Sequence, residues 1–161
     1  MSDQTQTRPA LVPLDTVRKI SGLALLQGMM AGDYPPPPMA ETLDFHLHSV
    51  AHGRVVFQGR LAGRFYNPLG TVHGGYSATL LDSAMACAVH STLAPGEIYT
   101  TMEFKVQLVR ALTEELGSVL ATGSVLHRGR RSATAEANLT SEDGKLFAHG
   151  TTTCMIMPIT Q

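Results

Sequence analysis

The feature that most constrains the fold is a long apolar segment from about Gly75 to Leu93. Its apolar side chains cover nearly the whole circumference of a helix, and they are Ala78, Leu80, Leu81, Ala84, Met85, Ala86, Ala88 and Val89. A helix that is apolar all round has to be covered on all sides by other parts of the chain. We therefore expect a buried central helix, and we expect the remaining elements to wrap it.

Extended segments are predicted on both sides of this helix. Before it, alternating residues around Leu43–Leu47 and a short apolar run at 54–61 predict two antiparallel strands joined near His52-Gly53. After it, the segment Thr101–Val109 alternates, with Met102, Phe104, Val106 and Leu108 predicted on one face and Thr101, Glu103, Lys105 and Gln107 on the other. Three more strands are predicted at residues 116–127, 132–140 and 146–157. This order predicts an α+β fold, with an antiparallel sheet around a long central helix.

The first part of the chain predicts a separate helical extension. Asp15 is a capping residue, and the apolar spacing after it predicts one amphipathic helix ending near Gly32. Pro35–Pro38 predict a stiff extended spacer, since each ring fixes φ and removes a hydrogen-bond donor. We expect residues 1–40 to be a helix and proline-rich spacer packed on a domain formed by residues 41–161.

Composition limits the classes of function. The formal net charge of −1 on 161 residues argues against a nucleic-acid-binding surface. Cys87 and Cys154 are far apart, which predicts neither a disulfide framework nor a zinc site and fits a reducing cytoplasm. The first residues lack the pattern of a secretory signal, and no stretch predicts a membrane span, so we expect a cytoplasmic protein.

One carboxylate interrupts the apolar helix. Asp82 lies about two turns in, where an ionised group is costly unless it is hydrogen-bonded, paired or open to a cavity. A bond to a near neighbour such as Ser83 would be a purely structural explanation. However, Gly74-Gly75 at the helix start exposes N–H groups with a favourable dipole, which is a suitable donor set for an oxyanion. A buried acid and an oxyanion cradle on one helix favour acyl chemistry.

The spacing of these two features has a geometric consequence. Gly74 and Asp82 are eight residues apart, which is about 12 Å along a helix axis. They cannot both contact one reacting carbonyl. The spacing therefore predicts a dimer, in which Asp82 of one subunit faces the helix start of the other.

The motif Asn67-Pro-Leu-Gly-Thr-Val-His73-Gly74-Gly75, followed seven residues later by Asp82, resembles the signature of PaaI-type hot-dog-fold acyl-CoA thioesterases. The similarity continues through the segments 100–110 and 127–137 and covers roughly residues 54 to 157. It implies a hot-dog thioesterase domain at residues 41–161 that acts on acyl-CoA without a cofactor or metal. It also implies a homodimer, with two dimers usually forming a tetramer. The strand end Leu108–Ala111 departs from the pattern, which usually has an aromatic residue and a proline there.

The resemblance assigns roles to particular residues. It implies that Asp82 is a general base or a nucleophile, and that the Gly74 N–H is the oxyanion donor. Asn67 matches the residue that binds the thioester oxygen or places the acyl group, and His73 matches a histidine that shapes the turn. A hydroxyl group that holds water matches either Thr100 or Thr101. Gly75 and Tyr76 are expected at the substrate, together with the proline spacer and the partner's surface.

Three further groups of residues have two interpretations each. Arg128, Arg130 and Arg131 could bind CoA phosphates, since guanidinium groups match phosphate geometry, or could form a solvated turn. His46 and His48 share one side of a predicted strand, but no further metal ligand lies at a suitable spacing, so a solvent-facing pair is expected. Cys87 is expected to be a small core residue, because no basic neighbour would lower its pKa.

Two other classes of function compete with thioester hydrolysis. A hot-dog hydratase or dehydratase needs a catalytic His, and its motif has an Asp two residues before the Asn-Pro, where this chain has Phe65. A non-catalytic acyl-CoA-binding regulator would have no need for Asp82 and Asn67. The acyl group itself is left open, with aromatic, medium-chain and hydroxylated groups all possible.

Overall fold

In the computed structural model, which describes residues 10–160, the apolar segment is a central helix, α4, at Gly74–His90. It begins one residue before the predicted start and ends three residues before the predicted end. Its core-facing side chains are fully buried, namely those of Leu80, Leu81, Ala84, Met85, Ala88 and Val89. No helix in this described range is long and apolar enough to cross a membrane.

A six-stranded sheet covers the helix, and all its neighbouring strands are antiparallel. The strands are β1 (Phe45–Ala51), β2 (Arg54–Arg60), β3 (Glu97–Leu108), β4 (Ser118–Arg128), β5 (Ser132–Thr140) and β6 (Leu146–Pro158). Their order across the sheet is β1-β2-β4-β5-β6-β3. The predicted α+β hot-dog architecture, an antiparallel sheet around a long helix, is confirmed.

The helix lies very close to the middle of the sheet because small residues face it there. A Cβ atom at Gly123 on β4 would lie only 2.2 Å from the carbonyl oxygen of Ala84 in α4. On the neighbouring strand β5, the buried side chains Ala133, Ala135 and Ala137 are also small. Backbone-to-backbone contact between helix and sheet is therefore possible only without larger side chains at these positions.

A β-bulge at Met102 interrupts the alternation that the sequence predicts for β3. Thr101 pairs with Cys154 and Glu103 pairs with Thr153, so Met102 is an extra residue without an opposite partner. Alternation restarts after it, and Thr101 lies on the same face as Phe104 rather than on the opposite one. The residues facing α4 are Tyr99, Thr101, Phe104, Val106 and Leu108.

The N-terminal extension also differs from the single predicted helix. It forms α1 (Leu14–Val17) and α2 (Gly22–Ala31), separated at Ser21, whose side chain accepts a hydrogen bond from the Ala24 N–H and caps the second helix. A Cβ atom at Gly22 would lie 1.8 Å from the carbonyl oxygen of His90, so α2 begins in direct contact with the end of α4. The predicted end near Gly32 is confirmed by its left-handed conformation, φ 86°.

The proline spacer is shorter than predicted. Pro38 is the first residue of a third short helix, α3 (Pro38–Thr42), where a proline fits because its missing N–H would have no partner in any case. Both α2 and α3 contact β1. The predicted division of the chain near residue 40 stays a prediction.

The contact between β4 and α4 leads to a stability prediction. Gly123→Ala should lower the free energy of unfolding by about 1–3 kcal/mol or more, because the new methyl group would overlap the helix backbone. Thermal unfolding followed by circular dichroism would measure this loss. Ser124→Ala, on the opposite face of the same strand, is the control and should leave the melting temperature nearly unchanged. Equal melting temperatures for the two variants would contradict the close approach described here.

Candidate active site

The first turn of α4 presents one open backbone donor. His73 is the N-cap residue, and its Nδ1 atom accepts a hydrogen bond from the Gly75 N–H at 2.9 Å. The Tyr76 N–H is bonded to the carbonyl oxygen of His73. Within the described residues the Gly74 N–H has no protein acceptor. Gly74 therefore offers a donor at the positive end of the helix dipole, whereas the N–H of Gly75 is engaged in the cap.

The turn before the helix is built around Asn67. Its Oδ1 atom accepts hydrogen bonds from the N–H groups of Leu69 and Thr71, and its Nδ2 atom donates to Thr71 Oγ1 at 2.9 Å. The amide has two N–H donors, so one is left after this bond. Asn67 and Gly74 line one cavity of about 230 Å³, together with Ser77 and the segment Leu108–Leu112. We call this cavity, with its Gly74 donor, the donor half-site.

Asp82 lies in a different place, against β3. Its Oδ1 atom accepts a hydrogen bond from Thr101 Oγ1 at 3.2 Å, so its partner is on the sheet and not the neighbouring Ser83. Burial raises the pKa of Asp82 above its ordinary value, and the Thr101 hydrogen bond lowers it in part. This pair, which we call the acid half-site, is a half-buried carboxylate whose pKa lies closer to neutrality than that of an exposed Asp.

The β3 bulge explains why Thr101, and not Thr100, meets Asp82. The extra residue Met102 allows both Thr101 and Leu108 to face the helix. Thr100 is exposed on the other face of the strand. The two half-sites therefore lie at different places along β3, with Asp82 near its middle at Thr101 and Gly74 at its last residue, Leu108.

The structure does not bring Asp82 and Gly74 together within one chain. The two residues are eight positions apart on one helix, about 12 Å along its axis. A carbonyl at the Gly74 N–H would therefore be out of reach of the Asp82 carboxylate of the same chain. The Gly74 donor and the Asp82 carboxylate therefore lie at two separate places in one subunit.

Tyr76 is placed in the core and not in either half-site. It is 4% exposed, its hydroxyl donates to the carbonyl oxygen of Arg60, and its ring stacks on Phe65. Burial raises the pKa of the Tyr76 hydroxyl well above its ordinary value. Its side chain supports the helix start and lines a cavity together with His73 and Gly75, and its expected contact with the substrate stays a prediction.

The three arginines are not equivalent. Arg128 forms an ion pair with Glu97 at 2.8 Å, which ties the end of β4 to the start of β3. Arg130 and Arg131 lie in the β4–β5 turn with exposed side chains. Only these two arginines are therefore oriented toward solvent, where a phosphate could reach them.

Sequence reasoning missed an apolar cavity next to the acid half-site. Cys87, His90 and Tyr99 line it together with residues of the N-terminal extension. Burial, with a smaller effect of the Asp82 charge, raises the pKa of the Cys87 thiol to about 12, which keeps the thiol protonated at neutral pH and disfavours a nucleophilic role. The signal available in the sequence was His90, a polar residue on the otherwise apolar helix eight positions after Asp82.

Comparison with known proteins identifies the family. The model of the thioesterase superfamily matches residues 69–148. The chain is 34% identical over 107 residues to human acyl-coenzyme A thioesterase 13, covering 65% of this chain and 74% of the relative. It is 28% identical over 109 residues to 1,4-dihydroxy-2-naphthoyl-CoA hydrolase of Listeria monocytogenes, covering 68% and 87%.

A solved structure of similar sequence has the same fold. This phenylacetic acid degradation-related protein from Ralstonia eutropha JMP134 is 30% identical and superimposes with a TM-score of 0.73, covering 81% of this chain and 98% of that one. The resemblance found in the motif around His73 is thereby confirmed. The chain belongs to the thioesterase superfamily and is a hot-dog-fold thioesterase of the PaaI type.

Proposed function

We propose that the protein hydrolyses acyl-CoA thioesters at a site formed by two subunits, with Asp82 from one and the Gly74 N–H from the other. The observation that carries this proposal is the separation of the two half-sites on one straight helix. Each half is formed, with Asp82 hydrogen-bonded to Thr101 and the Gly74 N–H open. Neither can complete the reaction alone.

The exposed edge of β3 supports pairing with a second copy. Within the described residues this strand pairs only with β6, and its exposed apolar side chains include Met102 (63%), Phe104 (43%) and Leu108 (58%). A free apolar strand edge favours addition of another strand. A twofold axis between Phe104 and Lys105 would set Thr101 opposite the partner subunit's Leu108. That register joins the acid half-site of one chain to the donor half-site of the other; the tetramer implied by the resemblance stays a prediction.

The proposed chemistry uses Asp82 as a general base. The carboxylate accepts a proton from water, and the water oxygen attacks the thioester carbonyl. The oxyanion accepts a hydrogen bond from the Gly74 N–H, and the remaining N–H of the Asn67 amide is a second donor. The C–S bond then breaks and releases the acyl group as the free acid, and the CoA thiolate takes the proton from Asp82 and leaves as the thiol. A carboxylate whose pKa is raised toward the working pH is a better base than an ordinary Asp, which favours this role over direct nucleophilic attack.

The names of two relatives describe enzymes that act on CoA thioesters, namely acyl-coenzyme A thioesterase 13 and 1,4-dihydroxy-2-naphthoyl-CoA hydrolase. We infer the same leaving group for this chain. Arg130 and Arg131 are the exposed arginines that we assign to the CoA phosphates, since guanidinium groups bind phosphates with paired hydrogen bonds. Arg128 is assigned to the fold, because Glu97 already neutralises it.

Asp82→Asn is predicted to remove activity without weakening the fold. Loss of the general base should lower kcat about 10²–10⁴-fold, measured as thiol release from an acyl-CoA. The raised pKa means that folding disfavours the ionised form, so above that pKa the charge lowers stability. The neutral amide should therefore leave the melting temperature equal or higher. Glu41→Gln on α3 is the control and should keep wild-type turnover; wild-type kcat in Asp82→Asn would overturn the assignment.

The pH dependence of Thr101→Val tests the role of its hydrogen bond. Activity requires ionised Asp82 and should be lost as the pH falls through its pKa. Removing a bond that lowers this pKa should move the acid limb of kcat/KM to higher pH. Thr100→Val, at the exposed neighbour, should leave the limb in place. If the acid limb of kcat/KM does not move in an active Thr101→Val enzyme, then Thr101 does not influence the pKa of the base.

Mixing two inactive chains tests the shared site. Asn67→Asp keeps the two acceptor bonds of the turn but replaces the amide donor by a negative charge, so it should inactivate the donor half-site. Co-expressed with Asp82→Asn chains, it should restore about one quarter of wild-type turnover. Random pairing makes half the dimers mixed, and each of these has one intact site of two. Verified mixed dimers without activity would place both groups in one chain.

A further inference from the structure

An apolar cavity of about 200 Å³ lies between the N-terminal extension, α4 and β3. The extension contributes Leu25, Met29 and Pro37, α4 contributes Cys87 and His90, and β3 contributes Tyr99. We call it the inner cavity. It combines chain segments before residue 69 with the central helix, so part of its wall lies outside the region that matches the family model.

The inner cavity continues the acid half-site along β3. Tyr99 is two residues before Thr101 on the same face of the strand, a step of about 7 Å. Cys87, which lines the cavity, follows Asp82 by five residues on α4, about 7.5 Å along the helix axis. The charge of Asp82 adds to the effect of burial, which raises the pKa of the Cys87 thiol. An acyl group whose carbonyl lies at Asp82 can therefore extend along β3 into the inner cavity.

The wall of the inner cavity suits an uncharged group. Its titratable side chains are those of Cys87, His90 and Tyr99. Burial raises the pKa of Cys87 and Tyr99 and lowers the pKa of His90, so all three are uncharged at physiological pH. A cavity of about 150 Å³ holds the six carbon atoms of benzene, so each carbon atom needs about 25 Å³. At that ratio, about 200 Å³ holds an acyl group of about eight carbons.

A partition separates the inner cavity from a second space of about 560 Å³, which we call the outer groove. Met29, Pro37, Leu47 and Phe57 line both spaces. Phe57 is buried in the core, whereas Met29 is only partly buried and packs against it. Met29 is an unbranched side chain on α2, so its truncation can open the partition with little effect on the sheet.

We propose that the inner cavity holds the acyl group and that Met29 closes its far end, so that the N-terminal extension limits the substrate to acyl chains of about eight carbons. This inference rests on the proposed function for the identity of the ligand. It assigns the extension a role in specificity. The outer groove stays without acyl carbons in the wild-type protein.

The test measures binding of S-alkyl-CoA thioethers from hexyl to dodecyl by isothermal titration calorimetry. These compounds have no carbonyl to hydrolyse, so the measurement does not depend on catalysis. In the wild type, affinity should rise about fourfold for each methylene up to about eight carbons and then stop rising. In Met29→Ala, the rise should continue to the dodecyl compound, because the chain can pass into the outer groove.

Two further variants make the test decisive. Met39→Ala, on α3 and lining neither space, is the matched control and should keep the wild-type limit. Leu25→Phe fills the inner cavity and should move the limit to shorter chains. If thermal melting shows that Met29→Ala is not folded, the Leu25→Phe variant alone decides the test. An unchanged limit in a folded Met29→Ala or Leu25→Phe protein, or affinity independent of chain length in the wild type, would overturn the inference.

Hydrolysis assays keep this inference distinct from the proposed function. Length-dependent thioether binding without turnover of any acyl-CoA would overturn the hydrolytic function and support the cavity. Turnover of acyl-CoAs with the same chain-length profile in wild type and Met29→Ala would overturn the role of Met29 and leave the hydrolytic function standing.

Discussion

The close contact between α4 and the middle of the sheet is the interaction on which the rest of the structure depends. At Gly123 the strand backbone meets the helix backbone, and at Gly150 on β6 a Cβ would lie 3.3 Å from the end of the Met85 side chain. Interiors are packed as tightly as organic crystals, so a helix held this closely has little freedom to shift. The positions of its side chains are fixed accordingly.

That rigidity is what makes the helix a suitable support for a site. One element supplies the Gly74 donor at its start and the Asp82 carboxylate two turns later, and both are held by the same buried face. The burial that stabilises the helix also raises the pKa of Asp82. Burial of the helix therefore contributes both to core packing and to the raised pKa of the acid, and a carboxylate placed there lowers stability when it is ionised.

The elements that could be predicted from the sequence are those with a strong local signal. The buried helix followed from its continuous apolar circumference, and the start of the helix followed from the motif around His73. The predicted strand at residues 132–140 has the bounds of β5. Pairing of Asp82 with a hydroxyl could be expected, but the choice of Thr101 could not. It depends on the bulge at Met102, which arises from the pairing of β3 with β6 and leaves no mark in the alternation of β3 itself.

The remaining differences also arise from tertiary contacts. The break at Ser21 places Gly22 against the end of α4, a contact between residues far apart in the sequence. Tyr76 follows the Gly-Gly motif directly, yet its side chain points to Arg60 and Phe65. Neighbouring residues of the motif therefore have different surroundings, because a helix directs successive side chains about 100° apart.

A straight helix also explains why one chain is insufficient for the proposed reaction. No change of side chains could bring the start of α4 to its middle, since the separation is set by the backbone rise. Symmetric pairing of β3 would meet this requirement and would also cover the exposed apolar side chains of that strand. Under this proposal the strand with the open edge, β3, also carries Thr101 and Leu108. Formation of the dimer therefore also completes the site. The N-terminal helices α2 and α3, in contrast, contact β1, which is the outer strand at the opposite end of the sheet from β3, so the proposed pairing and the extension involve different outer strands.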